Sequence, residues 1–283
     1  MKYKVILGGI LLWLVSGCSS VLESKAQQFG ENFSQAVLES NDPVLVEQAL
    51  PSYLLLLDAL LKNQPQNVAL LQAAAKLNSA YASAFVTDTV RSRGLNDKAF
   101  SYASDALCIE NKKLCQLQTM PIDEMALRLT QISKDELGSL YLLGSTWASW
   151  IQVHSDDWNA IADLARVKMI MQQVLALDEN YQQGEAHLYL GVLATLLSPA
   201  LGGQPEVGKS YFEKAVALSE GKNLMVKVYY AKYYARNTFN RELHDALLQE
   251  VVTANPQTGM LTLSNLLAQQ QAKTLLASAD DYF

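Results

Sequence analysis

Ser133-Lys134-Asp135-Glu136-Leu137-Gly138-Ser139-Leu140-Tyr141-Leu142-Leu143-Gly144-Ser145-Thr146-Trp147-Ala148-Ser149-Trp150-Ile151 is the stretch that decides the fold. Ser133 and Glu136 stand at the spacing of a capping box, in which each side chain satisfies the other's backbone N–H. After them Leu137, Leu140, Tyr141, Gly144, Trp147 and Ile151 recur at intervals of three and four, one face of a helix. The same grammar runs outward in both directions. Asp42-Pro43 reads as an N-cap followed by proline at the first helical position, and Pro51 is expected to kink or restart that helix. Further helices are predicted over 24–39, 67–92, 95–107, 122–130, 157–177, 183–197, 205–219, 223–237, 240–254 and 260–278. No alternating apolar and polar run or Asn-Gly hairpin signal competes with them, so the fold class is all-α.

A repeat lies beneath the helices. Val167/Met171/Val174, Gly208/Phe212/Ala215 and His244/Leu248/Val251 each place small or apolar residues at i, i+4 and i+7. That is the second-helix trio of a tetratricopeptide (TPR) unit, and Leu143-Gly144 with Trp147 fits an earlier first helix. The period is about 36–41 residues, longer than the regular 34. The prediction is therefore a degenerate TPR-like stack of antiparallel helix pairs, with a packed helical bundle as the alternative. Helix 223–237 carries apolar stripes on two faces, as a helix between neighbours would. Helix 260–278, with Gln269-Gln270-Gln271, is expected to cap the array with a polar outer face.

The amino terminus reads as an address. Lys2 and Lys4 precede an apolar run from Val5 to Val15, too short to span a bilayer as a mature helix, and the run ends Val15-Ser16-Gly17-Cys18. This resembles a bacterial lipobox: residues 1–17 would be removed, Cys18 would be acylated, and 18–28 would tether a single domain over 29–283. Each buried acyl CH2 is worth about 0.8 kcal/mol, so several chains hold a protein on a membrane. Ser19, and not Asp, after the cysteine favours the periplasmic face of the outer membrane, as in lipoproteins generally. No other stretch reads as a membrane span; Tyr53–Leu57 is closed by Asp58. Cys108 and Cys115 remain. In an oxidising compartment they either close a small loop at a helix end or stay as two buried free thiols. A continuous helix through them would hold their Cα atoms about 10 Å apart and forbid the bond.

Composition excludes several functions. With 22 Lys+Arg against 28 Asp+Glu, a net charge of −6 and half of all residues hydrophobic, the chain suits neither nucleic-acid binding nor disorder. Gly203-Gln204-Pro205-Glu206-Val207-Gly208-Lys209-Ser210 matches the letters of a P-loop. A P-loop, however, needs a strand to deliver it, and the residues before it read as helix. Glu206 would also put negative charge inside the phosphate cradle, and Gly208 serves better as the small residue where two helices cross. His154, His187 and His244 are scattered and suit packing better than ligation, so no metal site, cofactor or catalytic set is expected.

What remains is surface for binding. Trp147 and Trp150 share one helix, and Tyr189 lies on another. Tyr230, Tyr233 and Tyr234 share a third with Arg236 close by, and Arg241 follows. Such residues lining a groove suit an apolar small molecule, with Arg236 or Arg241 orienting a carboxylate; for each aromatic, a place in the core is the competing reading.

Several stretches, in order, carry a family resemblance. They are Leu54–Leu61 with Pro65 and Asn67, Tyr81-Ala82-x-Ala84-Phe85, Leu188-Tyr189-Leu190-Gly191, Leu201-Gly202-Gly203-x-Pro205-Glu206, Tyr229–Arg236 and Arg241-Glu242-Leu243-His244. Together with the lipobox they resemble the T component associated with TRAP transporters. The resemblance implies a periplasmic lipoprotein with a TPR-like fold, able to form a homotrimer, that associates with the extracytoplasmic solute-binding protein of a TRAP transporter. It implies no catalysis. The alternative is a TPR scaffold lipoprotein for cell-envelope assembly.

Overall fold

The structure, a computed structural model, describes residues 32–197 and 199–283. The signal segment 1–17, Cys18, the tether 18–28 and the start of the helix expected over 24–39 lie outside the described residues. Within them the chain is all-α, with no strand. After a helical stretch over 32–38 come α1 (Pro43–Asn63), α2 (Val68–Phe85), α3 (Thr89–Glu110), α4 (Ile122–Leu129), α5 (Leu137–Val153), α6 (Trp158–Ala162) and α7 (Leu164–Leu177). Then follow α8 (Glu185–Thr195), α9 (Pro205–Leu218), α10 (Leu224–Tyr229), α11 (Arg241–Thr253), α12 (Thr262–Ala277) and α13 (Ala279–Tyr282).

Caps written in the sequence set the boundaries. Asp42 Oδ1 accepts from the N–H groups of Val44 and Leu45 at 3.1 and 3.0 Å, with Pro43 opening α1. The capping box at Ser133 forms, Glu136 Oε2 accepting from the Ser133 backbone at 2.8 Å. Three expectations need correction. The helix expected to kink or restart at Pro51 does not restart but runs on to Asn63, because Val46, Leu50 and Leu54 on both sides of the proline are buried on the domain and offset the lost backbone bond. The helix expected over 67–92 breaks after Phe85, since Asp88 Oδ1 accepts from Arg91 N at 2.7 Å and starts α3 there. The region 157–177 is likewise two helices, parted at Asp163.

Packing follows chain order. α1 lies on α2, α2 on α3, α3 on α5, α5 on α7, α7 on α8 and α8 on α9, while α10, α11 and α12 pack on one another. All nine residues of the three trios are buried, on α7, α9 and α11. The last long helix leaves Gln270, Lys273 and Thr274 exposed, a polar outer face as expected of a cap, and it also closes the domain. Leu263 and Leu267 of α12 pack with Val46, Leu50, Leu54 and Tyr81, so the last long helix touches the first. Gln269 turns inward, its Nε2 donating to the carbonyls of Val251 and Ala254 at 3.1 and 2.9 Å where α11 ends. A carbonyl-rich helix end needs donors more than a free outer face does.

Two local features matter later. α3 stops at Glu110, a short 3-10 turn over Lys112–Leu114 returns the chain, and Cys108 is bonded to Cys115 with Cα atoms 4.5 Å apart. α1 is longer and more apolar than Tyr53–Leu57 alone suggests: 21 residues, long and apolar enough to cross a membrane by length and composition. Four of its residues are buried on the domain. Val44, Leu45, Leu55 and Leu56 face outward, 59%, 60%, 71% and 48% exposed.

Candidate functional site

The aromatic residues singled out in the sequence go to different places. Trp147 is fully buried, its ring 5.1 Å from that of Phe100. Tyr230 and Tyr234 are core residues as well. Tyr230 stacks on Phe212 at 5.2 Å, and the Tyr234 hydroxyl donates to Glu206 Oε1 at 3.0 Å. Trp150 stacks on His154, donates to Asp97 Oδ1 at 2.8 Å, and borders an open polar cleft that also holds Asp105 and Gln118. Both arginines have partners within the chain, Arg236 half-buried and Arg241 at the surface. Arg236 donates to the Leu275 carbonyl and to Ser278 Oγ at 3.2 and 3.0 Å and lies over the Tyr282 ring; Arg241 pairs with Asp245 and Asp280. Neither guanidinium is left to orient a carboxylate.

The P-loop letters fall on a helix crossing. Pro205 opens α9, and a Cβ on Gly208 would stand 2.4 Å from Thr195 Cγ2 on α8. Among the described residues no strand delivers this loop.

Tyr189 and Tyr233 belong to a different assembly, one that the sequence reading missed. Glu185, in the first turn of α8, accepts a short hydrogen bond from the Tyr141 hydroxyl of α5. The Asn223 side chain lies near the same carboxyl and favours its ionised form. The Tyr141 ring meets Tyr181 at 5.4 Å and Tyr189 at 6.2 Å, both edge to face. Tyr229 completes the group from α10 and meets Tyr233 edge to face at 5.6 Å. Tyr141, Tyr181, Tyr189, Tyr229, Tyr233 and Glu185 itself are all half-buried and keep some accessible surface. Half-buried aromatic rings gathered around a carboxyl make a candidate ligand lining.

The backbone around this lining is unusual in two ways. Gln182, Gln183 and Gly184 take φ of 50°, 57° and 80°, three left-handed residues in a row between Tyr181 and Glu185. A left-handed non-glycine residue costs about 1–2 kcal/mol, and such strain gathers where side chains must be aimed. Beyond Tyr229 the helix continues as a π-helix over Tyr230–Ala235. That widened turn makes Tyr229, Lys232 and Tyr233 the half-buried face while Tyr230 and Tyr234 turn into the core.

Electrostatics mark Glu185 out. Burial pushes its carboxyl above the ordinary value, and the Tyr141 hydrogen bond and the nearby Asn223 side chain oppose that only in part. Among the described residues no cation pairs with it, and the neighbouring Tyr229 hydroxyl is raised to about 12, chiefly by burial and then by Tyr233 and Glu185. A carboxyl raised in the folded state binds its proton more tightly folded than unfolded. Its ionised form therefore weighs against folding as pH climbs through the folded value. Glu185→Gln should leave the melting temperature nearly unchanged at pH 4 and raise it at pH 8. Thermal circular dichroism at the two pH values checks this; an offset equal at both would mean that Glu185 does not titrate abnormally.

No curated protein matches the chain. The family model for the TRAP transporter T-component matches residues 39–283, from just before α1 to the last residue. That span takes in α1 to α13 and the whole tyrosine-lined assembly, and so the chain belongs to the TRAP transporter T-component family, a component of TRAP transport.

Proposed function

We propose that this chain is a lipid-anchored, non-catalytic periplasmic protein. It docks the solute-binding protein of a TRAP transporter and holds a small ligand against the lining built by Tyr141, Glu185, Tyr189 and Tyr229. Acylation of Cys18 would keep it at the periplasmic face of the outer membrane, with the helix pairs stacked in TPR fashion and the domain assembled as a homotrimer. Family membership supports the transporter partner. The observation that carries docking is α1. Its outward face carries exposed Val44, Leu45, Leu55, Leu56, Ala59 and Leu60 with the neutral Gln48 and Ser52 among them, and its only exposed charges are Glu47 at the flank and Lys62 at the end, where a surface helix normally alternates charged and polar residues throughout. Contiguous apolar surface of a few hundred Å2 marks an interaction site.

The test is capture of the solute-binding protein encoded beside this chain. The parent should retain it, and a Leu45→Lys/Leu56→Lys double variant should lose at least about tenfold in affinity, as two charges buried in an apolar contact demand. Both substituted residues are already exposed, so the far-ultraviolet dichroism of the variant should match the parent. Equal capture by parent and variant would remove α1 from the interface, and no capture by the parent would remove the partner.

A further inference from the structure

Two charged groups on the half-buried lining have no ionic partner among the described residues. Glu185 accepts its one side-chain hydrogen bond from a neutral group, the Tyr141 hydroxyl, and the nearby Asn223 side chain is neutral as well. Lys232, on the π-helical segment, forms no ion pair; its Nζ stands 5.2 Å from the centre of the Tyr233 ring, and it is half-buried. Tyr229 connects the two. It lies one turn before Lys232 and Tyr233 on the same face, meets the Tyr233 ring at 5.6 Å, and feels the charge of Glu185. Through Tyr229 and Tyr233 the assembly thus joins a carboxyl, tyrosine rings and an ammonium.

From this arrangement we infer that the lining binds a small zwitterion, with the ligand's ammonium at Glu185 among the rings of Tyr141 and Tyr229 and its carboxylate at Lys232 beside Tyr233. This inference rests on the ligand-binding part of the proposed function and gives that ligand its chemical class. An organic cation is drawn both to a carboxylate and to the negative faces of aromatic rings, which is how aromatic cages hold quaternary ammonium groups. The carboxylate end needs a cation still free to pair. Lys232 is free, whereas Arg236 and Arg241 are engaged. A purely anionic ligand would leave Glu185 unpaired, and a purely apolar one would leave both charges desolvated, each at a cost to binding. The burial that lowers the Lys232 ammonium below its ordinary value, with Arg236 adding to it, is the same unmet demand seen from the other end.

The experiment titrates the purified full chain with glycine betaine and with 6-aminohexanoate, a short and a long zwitterion. Choline and isobutyrate serve as the single-charge probes, and tyrosine fluorescence and calorimetry follow binding. At least one zwitterion should bind saturably and at least about tenfold more tightly than either single-charge probe. Glu185→Gln should lower zwitterion affinity to the level of isobutyrate, and Lys232→Met to the level of choline. Thermal melting of both variants separates a lost charge from a lost fold, since an unfolded variant loses every probe. Choline or isobutyrate binding as tightly as the zwitterions, or affinity untouched in either folded variant, overturns the inference and leaves a ligand site standing. Absence of binding by all four probes overturns it as well. In that case a hydrophobic probe dye that still binds the parent, displaced by no zwitterion, would show that the broader ligand reading survives.

Discussion

Trp147→Ala is expected to destabilise the domain by about 3–5 kcal/mol, lowering its melting temperature by roughly 10 °C for a chain of this size. Trp147 has no accessible surface, and its ring pairs with Phe100 across the contact of α3 with α5. Phe100 in turn touches Trp150 at 5.6 Å, so removing the indole opens a void that neither neighbour can fill without leaving its own partner. Trp150→Ala makes the contrast. Trp150 borders an open cleft and retains exposure, so its loss should cost clearly less, chiefly the bond to Asp97 and the stack on His154. Thermal melting by circular dichroism decides both. If Trp147→Ala melted within about 2 °C of the parent while losing a bound ligand, the tryptophan would belong to a site and not to the core.

That contrast shows what the sequence made legible. Helix spacing and the caps at Asp42 and Ser133 gave the fold class and most helix boundaries. The trios at Val167, Gly208 and His244 gave the faces on which α7, α9 and α11 are buried, because both signals are local and recur within a few residues. Register within a helix was harder to read. The stripe Tyr230, Tyr233 and Tyr234 assumes 3.6 residues per turn. The π-helical turn over Tyr230–Ala235 breaks that assumption, sending Tyr230 and Tyr234 inward and leaving Tyr229 with Tyr233 on the lining. Glu185 was hidden differently. Its partners come from α5, from the turn after α7 and from α10, and the left-handed run Gln182–Gly184 that aims it has one glycine and two glutamines, a poor advertisement for positive φ. The arginines misled for the same reason: Ser278, Asp280 and Tyr282 lie about forty residues away from the guanidiniums that they engage. The closure of α12 on α1 joins the two ends of the domain, and no local pattern reports it.

Gly208→Val should be the most damaging single change at the crossing of α8 and α9, costing about 3 kcal/mol and lowering the melting temperature by roughly 6–12 °C. Even the first added carbon meets Thr195 Cγ2 at 2.4 Å and the Gly191 carbonyl oxygen at 3.0 Å. The threonine cannot rotate aside freely, because its hydroxyl donates to the carbonyls of Gly191 and Val192 at 2.9 and 3.1 Å. Gly191 cannot move either, since a Cβ there would already lie 3.0 Å from the Phe212 ring. The two helices must therefore separate, which also disturbs the Phe212 stack on Tyr230. Gly94 supplies the control within the same fold. It lies in α3 with nothing within 4 Å of an added Cβ, so Gly94→Ala should stabilise by about 0.4–1 kcal/mol through the loss of unfolded-state freedom. Opposite shifts for these two glycines, measured in parallel melts, are the expected result. A Gly208→Val protein as stable as the parent would mean that α8 and α9 do not cross at this residue.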